Sequence, residues 1–185
     1  TAAALGYGFG RGEQQRLAIY DLGGGTFDMT ILDLDGNIIE VLATGGDGFL
    51  GGDDFDRALL GLIYERLNLT VSPAEITRAH LLLARKAKHQ LTSDPHALIP
   101  RLTFDGVDDH LRIMRSDTLS IWLPLVERTF KVCKQALKDA GIKQGQIDHV
   151  ILVGGTTRIP VVQTEVARFF GKPPISNVDP DTVVA

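Results

Sequence analysis

The sequence predicts an α/β chain that carries a smaller α+β lobe as an insertion, and three observations predict it. Strand-type alternation occupies the first fifty residues, helix-type spacing dominates the middle, and a buried-type strand followed by a helix returns near the end. A short hairpin pattern interrupts the helical middle. Elements from the two ends therefore make one lobe, with the insert running roughly from Gly51 to Trp122.

Arg16 to Asp21 alternate as a first strand, and Phe27 to Leu34 as a second, with Phe27, Met29 and Ile31 on one face and Asp28 and Thr30 on the other. Asp35-Gly36-Asn37 reads as a turn and Ile38 to Thr44 as a third strand, followed by a glycine-rich loop from Gly45 to Gly52. Asp53 is a helix cap, and Phe55, Leu59, Leu62, Ile63 and Leu67 recur at helical spacing. Ser72-Pro73-Ala74-Glu75 has the form of a capping box and starts a helix that runs through Leu91. Ala97 to Phe104 and His110 to Met114 are two strands joined across Asp105-Gly106. A long helical region from Ser116 to Ala140 follows, bent at Pro124 and ended by Gly141. His149 to Val153 is a buried strand, and Pro160 opens a last helix closed by Gly171.

With 44% hydrophobic and 23% charged residues over 185 positions, the composition is that of a globular domain. A net charge of -4 leaves no basic footprint and argues against a nucleic-acid partner. No apolar run reaches the ~20 residues of a membrane span, so neither membrane nor leader peptide enters the reading and a cytoplasmic location is expected. Cys133, the single cysteine, fits a reducing compartment and has no electropositive setting that would make it a nucleophile. The small-residue start at Thr1 and the stop just after Asp179-Pro180, a helix-opening pair, give the expectation that the chain is a piece of a larger protein.

Three glycine-rich segments carry the chemistry. The first, DLGGGTFD from Asp21 to Asp28, leads from strand to strand, unlike a dinucleotide-binding loop, which leads into a helix. Backbone N–H groups bared in such a turn, with the Thr26 hydroxyl beside them, suit a phosphate; the plainer alternative is an ordinary hairpin turn. Asp21 and Asp28 flank the turn as possible Mg²⁺ ligands, most naturally through water, or as solvated strand-end residues. The segment from Gly154 to Pro160, GGTTRIP, leads from strand to helix, where free N–H donors face an anion and Arg158 has a planar group to stack on a ring. An ordinary turn with a surface salt bridge at Arg158 is the other reading.

Taken in order, DLGGGTFD, LGGDDFD (Leu50 to Asp56), ILVGGTTRIP (Ile151 to Pro160) and VDPDTVVA (Val178 to Ala185) resemble the ATPase domain of the DnaK-type heat-shock chaperones, the heat-shock protein 70 family. Within it, VLATGGDGFLGGDDFD, the ALKDAG helix end and FFGKPP are most similar to the HscA branch, which serves iron–sulfur cluster assembly. The resemblance implies an actin-like (ribonuclease H-like) ATPase fold, of which this chain is lobe II: subdomain IIA from residues 1–50 and 123–185, and subdomain IIB from 51–122. It implies ATP or ADP with Mg²⁺ as ligands.

The resemblance also assigns roles. Gly23, Gly24, Gly25 and Thr26 would form a phosphate loop, Asp21 would stand near the attacking water and Mg²⁺ with Asp28 beside it, and Asp21 and Thr26 would be the catalytic pair. Gly52 would lie by the nucleotide, while Gly154, Gly155, Thr156, Arg158 and Asp181 would border the adenosine. Arg85, Lys88 and Thr92, on one helical face, would serve the ribose and adenine side; without the family they read as a solvated basic face. DnaK-type members generally carry a glutamate where this chain has Arg85, and an arginine donates but does not accept.

For the intact protein the resemblance implies a J-domain co-chaperone and an iron–sulfur scaffold client. The first phosphate loop and the catalytic lysine would lie before Thr1, so these residues alone are expected to be inactive. A general protein-folding chaperone whose inserted lobe docks a nucleotide-exchange factor is the alternative, and a small-molecule kinase of the same superfold fits the motifs less well.

Overall fold

The computed structural model describes residues 14–36 and 38–176. The small-residue start at Thr1, Asn37 of the expected turn, and the Val178 to Ala185 motif with Asp181 lie outside the described residues. The chain divides into two compact units, one formed by the residues through Gly52 together with those from Val126 onward, the other by Asp53–Leu125.

The first unit is built on a mixed four-stranded sheet of order β3-β2-β1-β6. Strands β1 (Gln15–Leu22), β2 (Phe27–Asp35) and β3 (Ile38–Asp47) form an antiparallel meander. Strand β6 (His149–Val153) joins β1 in parallel, with Ile19 opposite Ile151 and Asp21 opposite Val153. The inner strand β1 is buried on both faces from Leu17 to Tyr20, as a strand covered on two sides requires, whereas the edge strand β3 has no buried residue. Leu17, Ile19, Leu32, Leu34 and Ile151 form a cluster on one face. Tyr20, Phe27, Met29 and Ile31 are fully buried on the other. Helix α4 (Leu119–Asp139) covers that second face with its later turns: the Tyr20 and Thr129 hydroxyls are 2.7 Å apart, and Val132 lies over Gly45. Cys133 is fully buried on the same helix, where burial pushes its thiol up to about 12 and makes it inert. Helix α5 (Pro160–Phe170) begins at its proline and ends at Gly171, whose φ of 68° is the left-handed cap a glycine accepts readily.

The third strand is longer than its pattern indicates. Gly45 and Gly46, expected in a loop, are strand residues paired with Met29 and Asp28. A side chain at Gly45 would meet Val132 Cγ1 at 3.0 Å, and one at Gly46 would meet Asp28 Oδ1 at 2.8 Å. These glycines answer close packing over a strand and not a turn.

The second unit contains α1 (Gly52–Arg66), α2 (Arg78–Ser93), the hairpin β4 (His96–Pro100) with β5 (His110–Met114), and the one-turn helix α3 (Leu102–Asp105) between those strands. Phe55, Leu59, Ile63, Ala84, Leu91, Ile113 and Trp122 are fully buried in it, and the Trp122 indole donates to the Phe55 carbonyl at 3.1 Å. Arg115 closes the end of α2 by donating to the carbonyls of Leu91 (2.7 Å) and Asp94 (2.8 Å), groups that a helix C-terminus leaves without partners. Among the described residues no helix is long and apolar enough to cross a membrane.

Four further boundaries differ from the sequence expectation, each for a local reason. Asp53 lies inside the first turn of α1 and does not cap it, because the helix starts at Gly52. Ser72 and Glu75 do pair, the carboxylate accepting from the Ser72 N–H at 2.8 Å and its hydroxyl at 2.6 Å. They close only a 3₁₀ turn, Pro73–Glu75; Ile76 is extended, and the true cap of α2 is Thr77, whose hydroxyl accepts from the His80 N–H. The expected strand to Phe104 stops at Pro100, since Arg101 binds Asp105 at 2.6 Å across one turn and Gly106 ends that turn with φ of 76°. Before α4, Arg115–Thr118 form a 3₁₀ turn, and Pro124 then sits inside a continuous helix, next to the division between the units.

Thr129→Val leaves the buried Tyr20 hydroxyl without its partner and is expected to destabilise the first unit by about 1–3 kcal/mol in a denaturant titration. Tyr20→Phe costs less, because the Thr129 hydroxyl keeps the Val126 carbonyl as its acceptor at 2.6 Å.

Candidate functional site: three glycine turns and a carboxylate pair

The meeting point of the site is the Gly23 carbonyl. It accepts the Gly52 N–H at 2.9 Å and the Thr156 hydroxyl at 2.8 Å, so segments 133 residues apart converge on one oxygen. The Gly23 N–H in turn closes the hairpin by donating to Thr26 at 3.0 Å.

The glycines divide into two physical kinds. Gly51 and Gly154 are required by packing within the chain. A Cβ on Gly51 would fall 2.5 Å from the Gly25 nitrogen, and one on Gly154 would fall on the Leu22 carbonyl and 2.7 Å from Asp21 Oδ1, at a φ of 87° that side chains rarely tolerate. Gly24, Gly25 and Gly155 are required by nothing in the chain: their φ values are not positive, and a Cβ would meet no atom within 4 Å. All three are exposed. Among the described residues no group accepts from the N–H groups of Gly24, Gly25 or Thr26. Their backbone is bare toward solvent, which is the arrangement that lets an anion approach amide donors.

Asp21 and Asp28 stand directly opposite each other on β1 and β2, a cross-strand pair of like charge. Asp28 is exposed and lies against Gly46; Asp21 is half-buried beside Gly154. Burial and the Asp28 charge raise the Asp21 carboxyl above the ordinary range of an aspartic acid. Such a pair attracts a cation and holds a proton more readily than a lone carboxylate. Among the described residues no group of three or more acidic, histidine or cysteine side chains is placed to enclose a metal. Two carboxylates beside bare amides fit Mg²⁺, which keeps most of its water and takes one or two carboxylates together with phosphate oxygens.

The turn after β6 is a 3₁₀ segment, Gly155–Arg158, held by the Thr157 hydroxyl donating to the Gly154 carbonyl at 2.6 Å. Thr156 is buried and its hydroxyl is engaged by Gly23, so it joins the two turns. Arg158 is exposed, and among the described residues no acid pairs with it.

In the second unit, α1 and α2 carry a closed ion network. Asp56, with a side chain only 3% exposed, takes the Lys88 ammonium at 2.8 Å on one oxygen and Arg85 Nε at 3.0 Å on the other. Arg85 also reaches Asp53. Lys88 is itself 8% exposed, so it is not part of a solvated basic face, whereas Arg85 is half-exposed. The Thr92 hydroxyl donates to the Lys88 carbonyl at 3.1 Å.

Sequence reasoning brought forward Asp21, Gly23 to Thr26, Asp28, Gly52, Gly154 and Thr156, and the first unit gathers all of these around one hairpin. It passed over Gly46, Gly51 and Asp56. For Asp56 a signal existed: it stands three and seven residues before Leu59 and Ile63 on the apolar side of α1, where an acid needs a buried partner.

The sequence profile of the family described as Hsp70 protein matches residues 1–185. The chain belongs to the Hsp70 family. Among its relatives are proteins described as chaperone protein HscA homologs. That of Shewanella amazonensis is 43% identical over 185 residues, covering 100% of this chain and 30% of the relative. That of Haemophilus influenzae is 45% identical and 29% covered, and that of Burkholderia lata is 45% identical over 188 residues and 30% covered, again over 100% of this chain. The chain thus spans about 30% of the length of the curated relatives it matches.

Two tests follow from the geometry. Gly51→Ala forces a methyl into the Gly25 backbone and is expected to lower the melting temperature by several degrees, while Gly155→Ala, in open space, leaves it within a degree or so. Asp21→Asn is expected to stabilise the chain at pH 7 by up to about 1 kcal/mol, by removing one of two opposed charges. Because the Asp21 pKa is raised, its ionised form costs stability above that pKa, and the cost fades as pH falls through it. The advantage of Asp21→Asn should therefore shrink on acidification and vanish below the ordinary aspartate value of 3.8; a lead that grows on acidification would contradict the assignment.

Proposed function

We propose that the chain is lobe II of the nucleotide-binding domain of an HscA-type chaperone, in an actin-like ATPase fold, with subdomain IIA from residues 1–50 and 123–185 and subdomain IIB from 51–122. The observation that carries this reading is the Gly24–Thr26 turn: backbone amides left bare beside a pair of carboxylates, in a chain whose close-packed glycines, Gly51 and Gly154, are explained by its own packing. Gly24, Gly25 and Thr26 would receive phosphate oxygens through N–H groups and the threonine hydroxyl. Asp21 and Asp28 would hold the hydration shell of Mg²⁺, and Gly155, Arg158 and Asp181 would border the adenosine. The bound nucleotide supplies the reactive phosphoanhydride and Mg²⁺ the neutralising charge. Asp21, with its raised proton affinity, orients the attacking water and accepts its hydrogen bond.

The intact protein would act in the cytoplasm as an ATPase that couples nucleotide turnover to a client in iron–sulfur cluster assembly, with a J-domain co-chaperone. The description of the relatives as HscA homologs supports this branch over a general folding chaperone.

Titration calorimetry of the full-length protein with ADP and Mg²⁺ is the decisive measurement. Saturable binding below about 1 mM is expected, and its absence at that concentration removes the ATPase reading. In the same protein, Asp21→Asn is expected to lower the turnover number by about 10²-fold or more with a much smaller change in ADP affinity.

A further inference from the structure

The hairpin at Gly23 is not closed as an ordinary turn would be. In a four-residue turn the first carbonyl commonly accepts from the fourth N–H. Here the Gly23 N–H donates to the Thr26 carbonyl at 3.0 Å, yet the Gly23 carbonyl takes nothing from the Thr26 N–H. Both lone pairs of that oxygen are filled from outside the hairpin, one by the Gly52 N–H at 2.9 Å and one by the Thr156 hydroxyl at 2.8 Å.

Two donors depend on this arrangement. The Thr26 N–H is left open, because its natural acceptor is engaged elsewhere. The Gly23–Gly24 peptide is trans and planar, so fixing its oxygen also fixes the Gly24 N–H, which points the opposite way. Side-chain packing does not hold this plane: it lies between two glycines, and a Cβ on Gly24 would meet no atom within 4 Å. Glycines let such a plane turn over at little steric cost. Thr156, by contrast, is 6% exposed and fixed in its own turn, behind a Gly154 that lies against the Leu22 carbonyl.

Resting on the phosphate reading of this hairpin, we propose that Thr156 is a positioning residue: by holding the Gly23 carbonyl away from the Thr26 N–H, its hydroxyl keeps the Gly24 and Thr26 N–H groups available to a phosphate. It acts through the peptide plane and does not touch the ligand. Loss of the hydroxyl frees one lone pair of the Gly23 oxygen. The carbonyl then turns to the Thr26 N–H, which consumes one donor and redirects the other.

The test uses the full-length protein and ADP with Mg²⁺, read by calorimetry and by the amide resonances of Gly24 and Thr26. Thr156→Val keeps the size of the side chain and lacks the hydroxyl. It is expected to weaken ADP binding by more than about fivefold and to shift both resonances before any nucleotide is added. Thr156→Ser keeps the hydroxyl and is expected to stay within about fivefold, with both resonances in place. Thr156→Ala answers the same question where the Val variant does not fold. Binding within fivefold of the wild type in a folded Val or Ala variant overturns the inference, as does a Ser variant that loses as much as Val. Weakened binding with both resonances unmoved in the nucleotide-free protein also overturns it, since a direct contact or a diffuse structural effect would give that result. In the wild type, saturating ADP is expected to shift the two resonances; ADP that binds and leaves them in place overturns the inference even where no variant folds. Failure of the wild type to bind ADP overturns instead the nucleotide reading on which it rests.

Discussion

One carbonyl organises the candidate site. A peptide oxygen has two lone pairs, and at Gly23 both are engaged, one by the Gly52 N–H and one by the Thr156 hydroxyl. The same residue's N–H closes the hairpin. Gly23 is thus committed wholly to holding three segments together, and it holds them so closely that Gly51 and Gly154 can carry no side chain. The neighbouring Gly24 and Gly25 are committed to nothing. Three identical consecutive residues divide into one that builds the scaffold and two that the scaffold presents, and the division follows from hydrogen-bond accounting and open space, not from residue type.

The carboxylates beside them work against stability. A like-charge pair directly across two strands is unfavourable, and burial of Asp21 adds to the cost. Fold formation does not ask for it: Asp21 meets Val153 on its other side, and an amide or a hydroxyl would serve the strand as well. The same half-burial that raises the proton affinity of Asp21 places it against Gly154, where the third glycine turn begins. Unfavourable electrostatics held in place by a surrounding over-determined backbone are the usual signature of a site that meets a counter-charge.

Much of this was legible in the sequence, because the first sheet follows simple rules. Alternation through Arg16 to Asp21 and Phe27 to Leu34, the DLGGGTFD turn, and the strand HVILV before two glycines each appear where periodicity and turn chemistry locate them. The α/β class followed from their order, while the parallel pairing of β6 with β1 is known from the structure. Local rules failed where a long-range contact decided the outcome. Gly45 and Gly46 look like a loop until Val132 and Asp28 are seen against them. Ser72 and Glu75 form their box, yet a second cap at Thr77 claims the helix. Arg101 and Asp105 turn an expected strand into a helical turn through an ion pair four residues apart.

The ion network of the second unit shows why a family pattern and a physical reading need each other. Read alone, Arg85, Lys88 and Thr92 on one face of a polar helix are a solvated stripe; burial of Lys88 against Asp56 removes that reading. Stability does not supply a replacement. A buried ion pair is rarely worth more than a well-packed apolar pair of the same volume, although removing one partner is costly because it strands the other. The surrounding α1 face is already apolar through Leu59 and Ile63, so a hydrophobic residue at position 56 would extend an existing core. What the apolar alternative cannot do is hold a cation at a fixed place on α2 with its charge shared. Asp56 does this by dividing one carboxylate between two bases, and Asp53 completes the balance from the first turn of α1. The network therefore makes physical sense as a device for fixing where the donors and charges of that face stand.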